Sequence, residues 1–343
     1  MAVSIYDTTT LIQVVENLKE PSQFLLDKFF PNVIQSETEF VTIDVFDGKR
    51  RLAPFVNPLR EGRFVEPIGF RSPTFKPPYV KPKTRLDPLR PIRRSIGERI
   101  GSGSLSPQQR EAANLRFEME DQLGQINRRL EWMAASALAN GTLTVVGDGV
   151  PTATIDYGRA AALQITLSGG NRWGQSGVSP TGLLDAWSAL VLKESGYGVT
   201  DIVFTPGAWA LFRADPMVAA IVASFQNGER DFMAAGVRAQ KGGIRLGVWG
   251  QYTLWLYYEW YIDPADGQEK PMLPDGTVLM GSADVDGTRA FGAIIDPEIG
   301  YPAIPYAPKS WTTQDPAARW LMTQSSPIVI PSRINASLSA KVI

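Results

Sequence analysis

The sequence predicts a mixed α+β fold, and three observations carry that prediction. One helical pattern with complete start and stop signals runs from Pro107 to Ala139, two-strand hairpin signals lie on either side of it, and beyond residue 176 helix-length and strand-length apolar patterns alternate. Hydrophobic residues make up 44% of the 343 and charged residues 20%, which is enough apolar surface to fold and excludes global disorder.

Taken in order, residues 1 to 38 carry short apolar patches (Leu11-Ile12, Val14-Val15, Phe24-Leu25-Leu26, Phe29-Phe30) between polar residues and end near Pro31, the pattern of an arm with one or two short helices. Phe40 to Phe46 alternates apolar and polar residues, Asp47-Gly48 supplies a turn, and Arg51 to Val56 returns, so a hairpin is expected. From Asn57 to Gly103 prolines recur at 58, 67, 73, 77, 78, 82, 88 and 91. Each removes a backbone donor and biases its predecessor toward extended geometry, so neither a helix nor a central strand is expected there. So long an irregular stretch is unusual inside a compact domain, and we expect it to project from the body and be ordered by a neighbour.

Ser106-Pro107-Gln108-Gln109 combines an N-cap serine, a proline at the first helical position and a glutamine at the third, the signature of a capping box. Apolar residues follow at Leu115, Met119, Leu123, Ile126, Leu130, Met133 and Ala137, and Asn140-Gly141 supplies the stop. A second hairpin is expected from Leu143–Val146 and Val150–Ile155, and the polar, glycine-rich run Gly169 to Gly177 reads as a domain boundary. Beyond it the patterns predict a helix at Pro180–Glu194, a strand at Asp201–Phe204, and helices near Trp209–Arg213 and Met217–Ser224. Strands are expected at Ile244–Trp249, Thr253–Tyr261, Thr277–Met280 and Arg289–Ile295, and two more in Ala318–Ile343, broken at Pro327 and Pro331.

Composition excludes most chemistry. The chain has no cysteine, hence no disulfide, thiolate nucleophile or sulfur-ligated metal, and no histidine, hence no Ser-His-Asp triad or imidazole ligand. No apolar run approaches the roughly 20 residues of a membrane-spanning helix, and the N-terminus lacks the features of a signal peptide, so a soluble chain is expected. The segment Gly236 to Gly243 contains glycines and a lysine but lacks the Gly-Lys-Ser/Thr ending of a phosphate loop, and reads as a mobile loop. Asp263, Asp266, Glu269, Asp275, Asp284 and Asp286 lie near the aromatic run Trp249 to Tyr261, which leaves a carboxylate glycosidase, using a pair such as Asp263 and Asp284, as the one enzyme reading. Asp266-Gly267, Asp275-Gly276 and Asp286-Gly287 are better read as turns between strands.

The net charge of -1 conceals an asymmetry. Lys49, Arg50, Arg51, Arg60, Arg63, Arg71, Lys76, Lys81, Lys83, Arg85, Arg90, Arg93, Arg94 and Arg99 face only Glu61, Glu66, Asp87 and Glu98 in the same stretch. Clustered cations suit phosphates, but the prolines forbid a groove-reading helix, so an acidic protein neighbour is favoured over nucleic acid.

Four segments, in order, carry a family resemblance: Phe75-Lys76-Pro77-Pro78-Tyr79-Val80-Lys81-Pro82-Lys83; Pro206 to Arg213; Leu273-Pro274-Asp275-Gly276-Thr277 through Gly281 to Arg289-Ala290-Phe291-Gly292; and Pro308-Lys309-Ser310-Trp311 with Asp315-Pro316-Ala317. Together they resemble the lambda-type family of phage major capsid proteins. That resemblance implies the Hong Kong 97-type shell fold, with an N-terminal arm at 1–45, an extended E-loop at 46–105, and a peripheral domain at 106–175 that contains a spine helix, 107–139. It further implies an axial domain at 176–295, with return strands and a tail at 296–343.

The implied function is a non-enzymatic shell, without cofactor or metal, that encloses double-stranded DNA without gripping it. Self-association into pentamers and hexamers is implied, with a separate scaffold, a portal and a cementing or decoration protein as partners, and no membrane. The implied contacts between subunits lie on the E-loop: Arg63, Phe64, Phe70, Arg71, Phe75, Lys76, Tyr79, Lys81, Lys83 and Arg85. No covalent crosslink through the loop lysines is expected. An encapsulin-like compartment, which shares the shell fold, is the nearest alternative.

Overall fold

The structure is a computed structural model that describes residues 6, 8–17, 23–43, 45–46, 52–64, 70–86, 106–147, 149–225, 239–240, 242–315 and 318–343. Among these residues the organising element is a seven-stranded mixed sheet, in the order Ala239–Gln240, Gly243–Trp249, Tyr252–Tyr257, Asp201–Phe204, Thr277–Gly281, Leu338–Lys341 and Gln164–Thr166. Side chains alternate between the faces of a strand, and here both faces are buried. Val203, Trp255, Tyr257 and Leu279 enter one core. Ile202, Phe204, Leu254, Val278 and Met280 enter the other, beneath helix Pro180–Ser195 and helix Pro206–Arg213. This explains the continuous apolar runs at 201–204 and 277–281, where every residue is buried.

The long helix Pro107–Asn140 spans about 50 Å at about 1.5 Å per residue. Its start is the expected capping box: Gln109 N donates to Ser106 Oγ at 3.2 Å and Ser106 N donates to Gln109 Oε1 at 2.9 Å. Its stop is Gly141 at φ 69°, a left-handed conformation that glycine adopts without a Cβ penalty. Beside this end, Arg159 donates to Leu138 O at 2.7 Å and to Ser337 Oγ at 3.0 Å, placing a half-buried cation at the negative end of the helix dipole. The helix buries Leu115, Met119 and Leu123 against Leu11 and Leu321, and its C-terminal half (Leu130, Met133, Ala134, Leu138) against the first core.

Several expectations are corrected. The arm carries the two short helices expected of it, and it is packed onto the body: helix Phe24–Phe29 and Phe30 sit in the first core, and Leu11 of helix Thr8–Asn17 is fully buried. Glycines make room for that docking, since a Cβ at Gly243 would lie 2.4 Å from the Phe24 ring and one at Gly287 would lie 2.2 Å from the Phe30 ring. Sequence cannot show such sockets, because the partners lie more than two hundred residues apart.

The expected hairpin has a different partner. Val41–Thr42 pairs with Thr74–Phe75, and Val45–Phe46 pairs with Phe70–Arg71, while residues 52–57 form no strand and the Asp47-Gly48 turn lies outside the described residues. Val41 is buried in the first core, and the far limb is anchored beside it by Phe75 against Tyr157. The 46–105 stretch is not wholly projecting either. Lys83–Leu86 forms the edge strand of a sheet with Ala318–Gln324 and Ala307–Thr313, a position that neighbouring prolines tolerate. Within the glycine-rich segment 169–177, Trp173 is buried against Trp187, Phe204 and Phe212.

Further along, Thr253–Tyr261 divides into Tyr252–Tyr257 and a separate ribbon, Trp260–Ile262 with Glu269–Pro271. The strand expected to reach Ile295 ends at Phe291. The C-terminal segment holds three strands, not two: Pro327 and Pro331 open and close the middle one, paired with Phe291 and Gly287. Strands Asn32–Gln35 and Ala307–Thr313 carry no alternation clear enough to be anticipated. Of the segment expected to be a mobile loop, 236–238 and 241 lie outside the described residues, and Ala239–Gln240 pairs with Gly243–Ile244 as an edge strand rather than a loop.

Candidate inter-subunit surface

The most unusual surface is the loop between the two ribbon limbs. Leu52, Phe55, Leu59 and Phe64 are 97%, 107%, 94% and 84% exposed, and Val56 is also exposed. A turn at Asn57–Arg60 shapes the loop: Arg60 N donates to Asn57 O at 2.9 Å and Leu59 N to Asn57 Oδ1 at 3.0 Å, with Pro58 pre-setting the backbone at the second position. Large apolar side chains clustered in water mark a surface meant for a partner.

The loop leaves a rigid base. Val80 N donates to Ser325 O at 2.8 Å and Ser325 N returns the bond to Val80 O at 3.0 Å. Tyr79 donates to Gln324 Oε1 at 3.1 Å and accepts from Ile295 N at 3.0 Å. Gln324 Nε2 donates to Asp296 Oδ2 at 2.8 Å, and Lys309 Nζ lies 3.0 Å from Asp296 Oδ2 and 2.8 Å from Glu298 Oε2. Burial opposes charge on Asp296, but hydrogen bonds from Lys309, Gln324 and the Glu298 amide outweigh it and hold the carboxyl below its usual range. Burial likewise pushes the Tyr79 hydroxyl up, helped by the nearby Asp296 charge and opposed by the Ile295 amide.

The sequence-selected contact residues therefore divide. Arg63 and Phe64 stand exposed on the loop. Phe70 and Arg71 lie on the returning strand, and their side chains are outside the described set. Phe75 turns inward against Tyr157, and Lys76 pairs with Glu39 at 2.5 Å on the surface. Lys81 lies 4.5 Å over the Tyr79 ring, and Lys83 lies 4.1 Å over Trp320 and 5.0 Å over Trp311. Arg85 is exposed on the edge strand opposite Trp320. The sequence pattern did not single out Leu52 and Phe55, because 51–56 reads as a paired strand, nor Leu59, which follows in the proline-rich stretch. Their isolation from any paired limb appears only once the strand partners are known.

The acidic cluster is committed to structure. Asp263 and Asp266 both bind Lys270, at 2.6 and 2.7 Å, and hydrogen bonds from that lysine hold both carboxyls below their usual range. Asp275 accepts from Gly207 N at 2.8 Å, Asp284 pairs with the capping Ser282 at 3.0 Å, and Asp286 sits at φ 49° before Gly287. These are turn-forming roles, and among the described residues no group of acidic side chains is placed to hold a metal.

The four segments that carried the resemblance are linked in space by pairwise contacts. Pro77 of the first packs against Gly292 of the third, Tyr79 reaches Lys309 of the fourth through Gln324 and Asp296, and Gly207 of the second binds Asp275 of the third.

Comparison with known proteins agrees with this arrangement. Residues 7–342 match the family described as phage major capsid protein E. The chain is 29% identical over 332 residues to the major capsid protein of Escherichia phage lambda, covering 96% of each, and 28% identical over 344 residues to that of Escherichia phage N15, covering 99% of this chain and 100% of that one. The crystal structure of a prophage capsid protein of Escherichia coli CFT073 superposes with a TM-score of 0.78 at 22% identity, covering 98% of this chain and 99% of that one. The fold is thus that of phage capsid proteins, and the glycosidase reading falls, since these relatives are structural proteins. No helix among the described residues is long and apolar enough to cross a membrane. The chain belongs to the phage major capsid protein E family, and it is a structural protein of the virion head shell rather than an enzyme.

Proposed function

We propose that the loop 52–64 is the strap by which each subunit grips its neighbour in the shell. The observation that carries this reading is the near-complete exposure of Leu52, Phe55, Leu59 and Phe64 on a loop whose base is locked to the subunit body. Burying each side chain against a neighbour contributes about 1.5–3 kcal/mol before ordering costs. Pro54 and Pro58 lower those costs by restricting the free loop beforehand. Arg60 and Arg63 flank the apolar side chains and suit an acidic rim on the receiving subunit. Many such straps, each modest, act multivalently once pentamers and hexamers close.

In this reading Lys83 and Arg85 belong to the base rather than the grip, and Phe75 and Tyr79 orient the loop. A separate scaffold, a portal and a cementing protein complete the proposed partners, with packaged DNA enclosed but not tightly held by a chain of net charge -1. The test replaces Leu52–Phe64 with a short Gly-Ser linker, or changes Leu52, Phe55, Leu59 and Phe64 together to Ser. Both variants are expected to melt like the parent as free subunits yet give no shells in electron micrographs, even with scaffold co-expressed. Normal particles from either would reject the strap.

A further inference from the structure

The base of the loop contains a chain of side chains that runs from Tyr79 through Gln324 and Asp296 to Lys309, and its polarity is determined throughout. Lys309 carries only donors, so Asp296 accepts from it. Asp296 also takes a hydrogen bond from Gln324 Nε2, which turns the amide oxygen of Gln324 toward Tyr79. The Tyr79 hydroxyl must then donate to Gln324, leaving its lone pairs to accept from Ile295 N. Gln324 is 2% exposed and Asp296 5%, so water cannot readily substitute for a lost partner. Around this chain, Pro77 packs against Gly292, where a Cβ would lie 3.3 Å from the proline ring and 3.2 Å from Ser326 Oγ. Three residues separate Tyr79 from the last paired residue of the ribbon, Phe75, so its seating governs the direction in which the loop departs.

From this geometry we infer that Tyr79 is a positioning residue for assembly: its hydroxyl, oriented by the Lys309–Asp296–Gln324 relay, sets the angle at which the loop 52–64 leaves the subunit and so presents it to the next one. The inference rests on the strap reading of that loop. It assigns Tyr79 no contact with the neighbour. Phenylalanine at this position keeps the ring and its packing but leaves the buried Gln324 Oε1 without its partner.

The absence of cysteine from the chain makes the test clean. Spin labels at Gly62→Cys, which has no atom within 4 Å of the added Cβ, and at Ala113→Cys, on an exposed face of the long helix, report the distance from loop to body in the free subunit. With Tyr79 intact a narrow distance distribution is expected. Tyr79→Phe should raise the population outside the main peak roughly tenfold, the factor that follows when a buried hydrogen-bonded pair is left unmade. Its melting temperature should stay close to that of the parent, while the initial rate of shell formation falls. Lys81→Ala, which removes the cation over the Tyr79 ring but leaves the hydroxyl relay, serves as the control and should keep the narrow distribution. An unchanged distribution in Tyr79→Phe overturns the inference, as does equal broadening in both variants, which would trace the effect to ring packing. If instead the linker replacement of 52–64 still assembles, the strap reading fails whatever Tyr79 does, so the two ideas are separable.

Discussion

Glu131 shows how much one buried group can organise. It lies on the long helix at 1% exposure and accepts hydrogen bonds from Leu25 N at 2.9 Å, Leu26 N at 3.2 Å and the Tyr257 hydroxyl at 3.1 Å. One carboxyl thus caps the N-terminal end of helix Phe24–Phe29 and ties it to both the long helix and the central sheet. Burial pushes its pKa from 4.5 up to about 7, against the pull of its three donors and with the Glu259 charge adding to the rise. The sign follows from which state holds the proton more tightly. The folded state does, so this group's contribution is fully present below pH 4.5 and is lost as pH rises through about 7, a change on the order of 3 kcal/mol. Glu131→Gln should therefore gain stability relative to the parent between pH 5 and pH 8, measured by urea unfolding at both. A stability difference that does not move with pH would contradict this account.

At the scale of elements, local signals proved legible and pairings did not. The long helix could be read at both ends because each cap is made by residues within four positions of it: Ser106 with Gln109, and Gly141 with Ala137. Ser106→Ala should cost about 1 kcal/mol of subunit stability in denaturant titrations. Gly141→Ala should cost more, because it adds positive-φ strain to a Cβ contact of 2.8 Å with Arg159. Equal losses from the two would mean that Arg159 yields freely. The ribbon beside the loop could not be read in the same way. The alternating pattern at 40–46 is satisfied equally by 51–56 and by 70–75, and the choice falls to the limb whose Phe75 and Pro77 are fastened to the body.

For the whole molecule, the central sheet forms one wall of each large core, with Val203 on one face and Ile202 and Phe204 on the other. Lys28 reaches across to Asp201 at 2.7 Å and lies 4.7 Å over the Trp255 ring, fastening helix Phe24–Phe29 to that same wall. Neither core can lose its wall and persist, so the free subunit should unfold in one calorimetric transition with matching calorimetric and van't Hoff enthalpies. Two resolved transitions would show that the two cores are separable after all. The exposed loop takes no part in either core, which is why its removal is expected to spare folding and abolish assembly.

The amino-acid order alone was sufficient for the mixed fold class, the capped helix, the Asp-Gly turns, the exclusion of thiol and imidazole chemistry and the family likeness, since each depends on neighbouring residues or on composition. Packing decided the rest. That Phe24 and Phe30 fill glycine sockets, that Glu131 caps a helix about a hundred residues away, and that Leu52, Phe55 and Leu59 are left in water all depend on which distant surfaces meet. Apolar residues look alike in sequence whether a core or a neighbouring subunit is to cover them, and only the tertiary structure separates the two by showing which ones the subunit leaves uncovered.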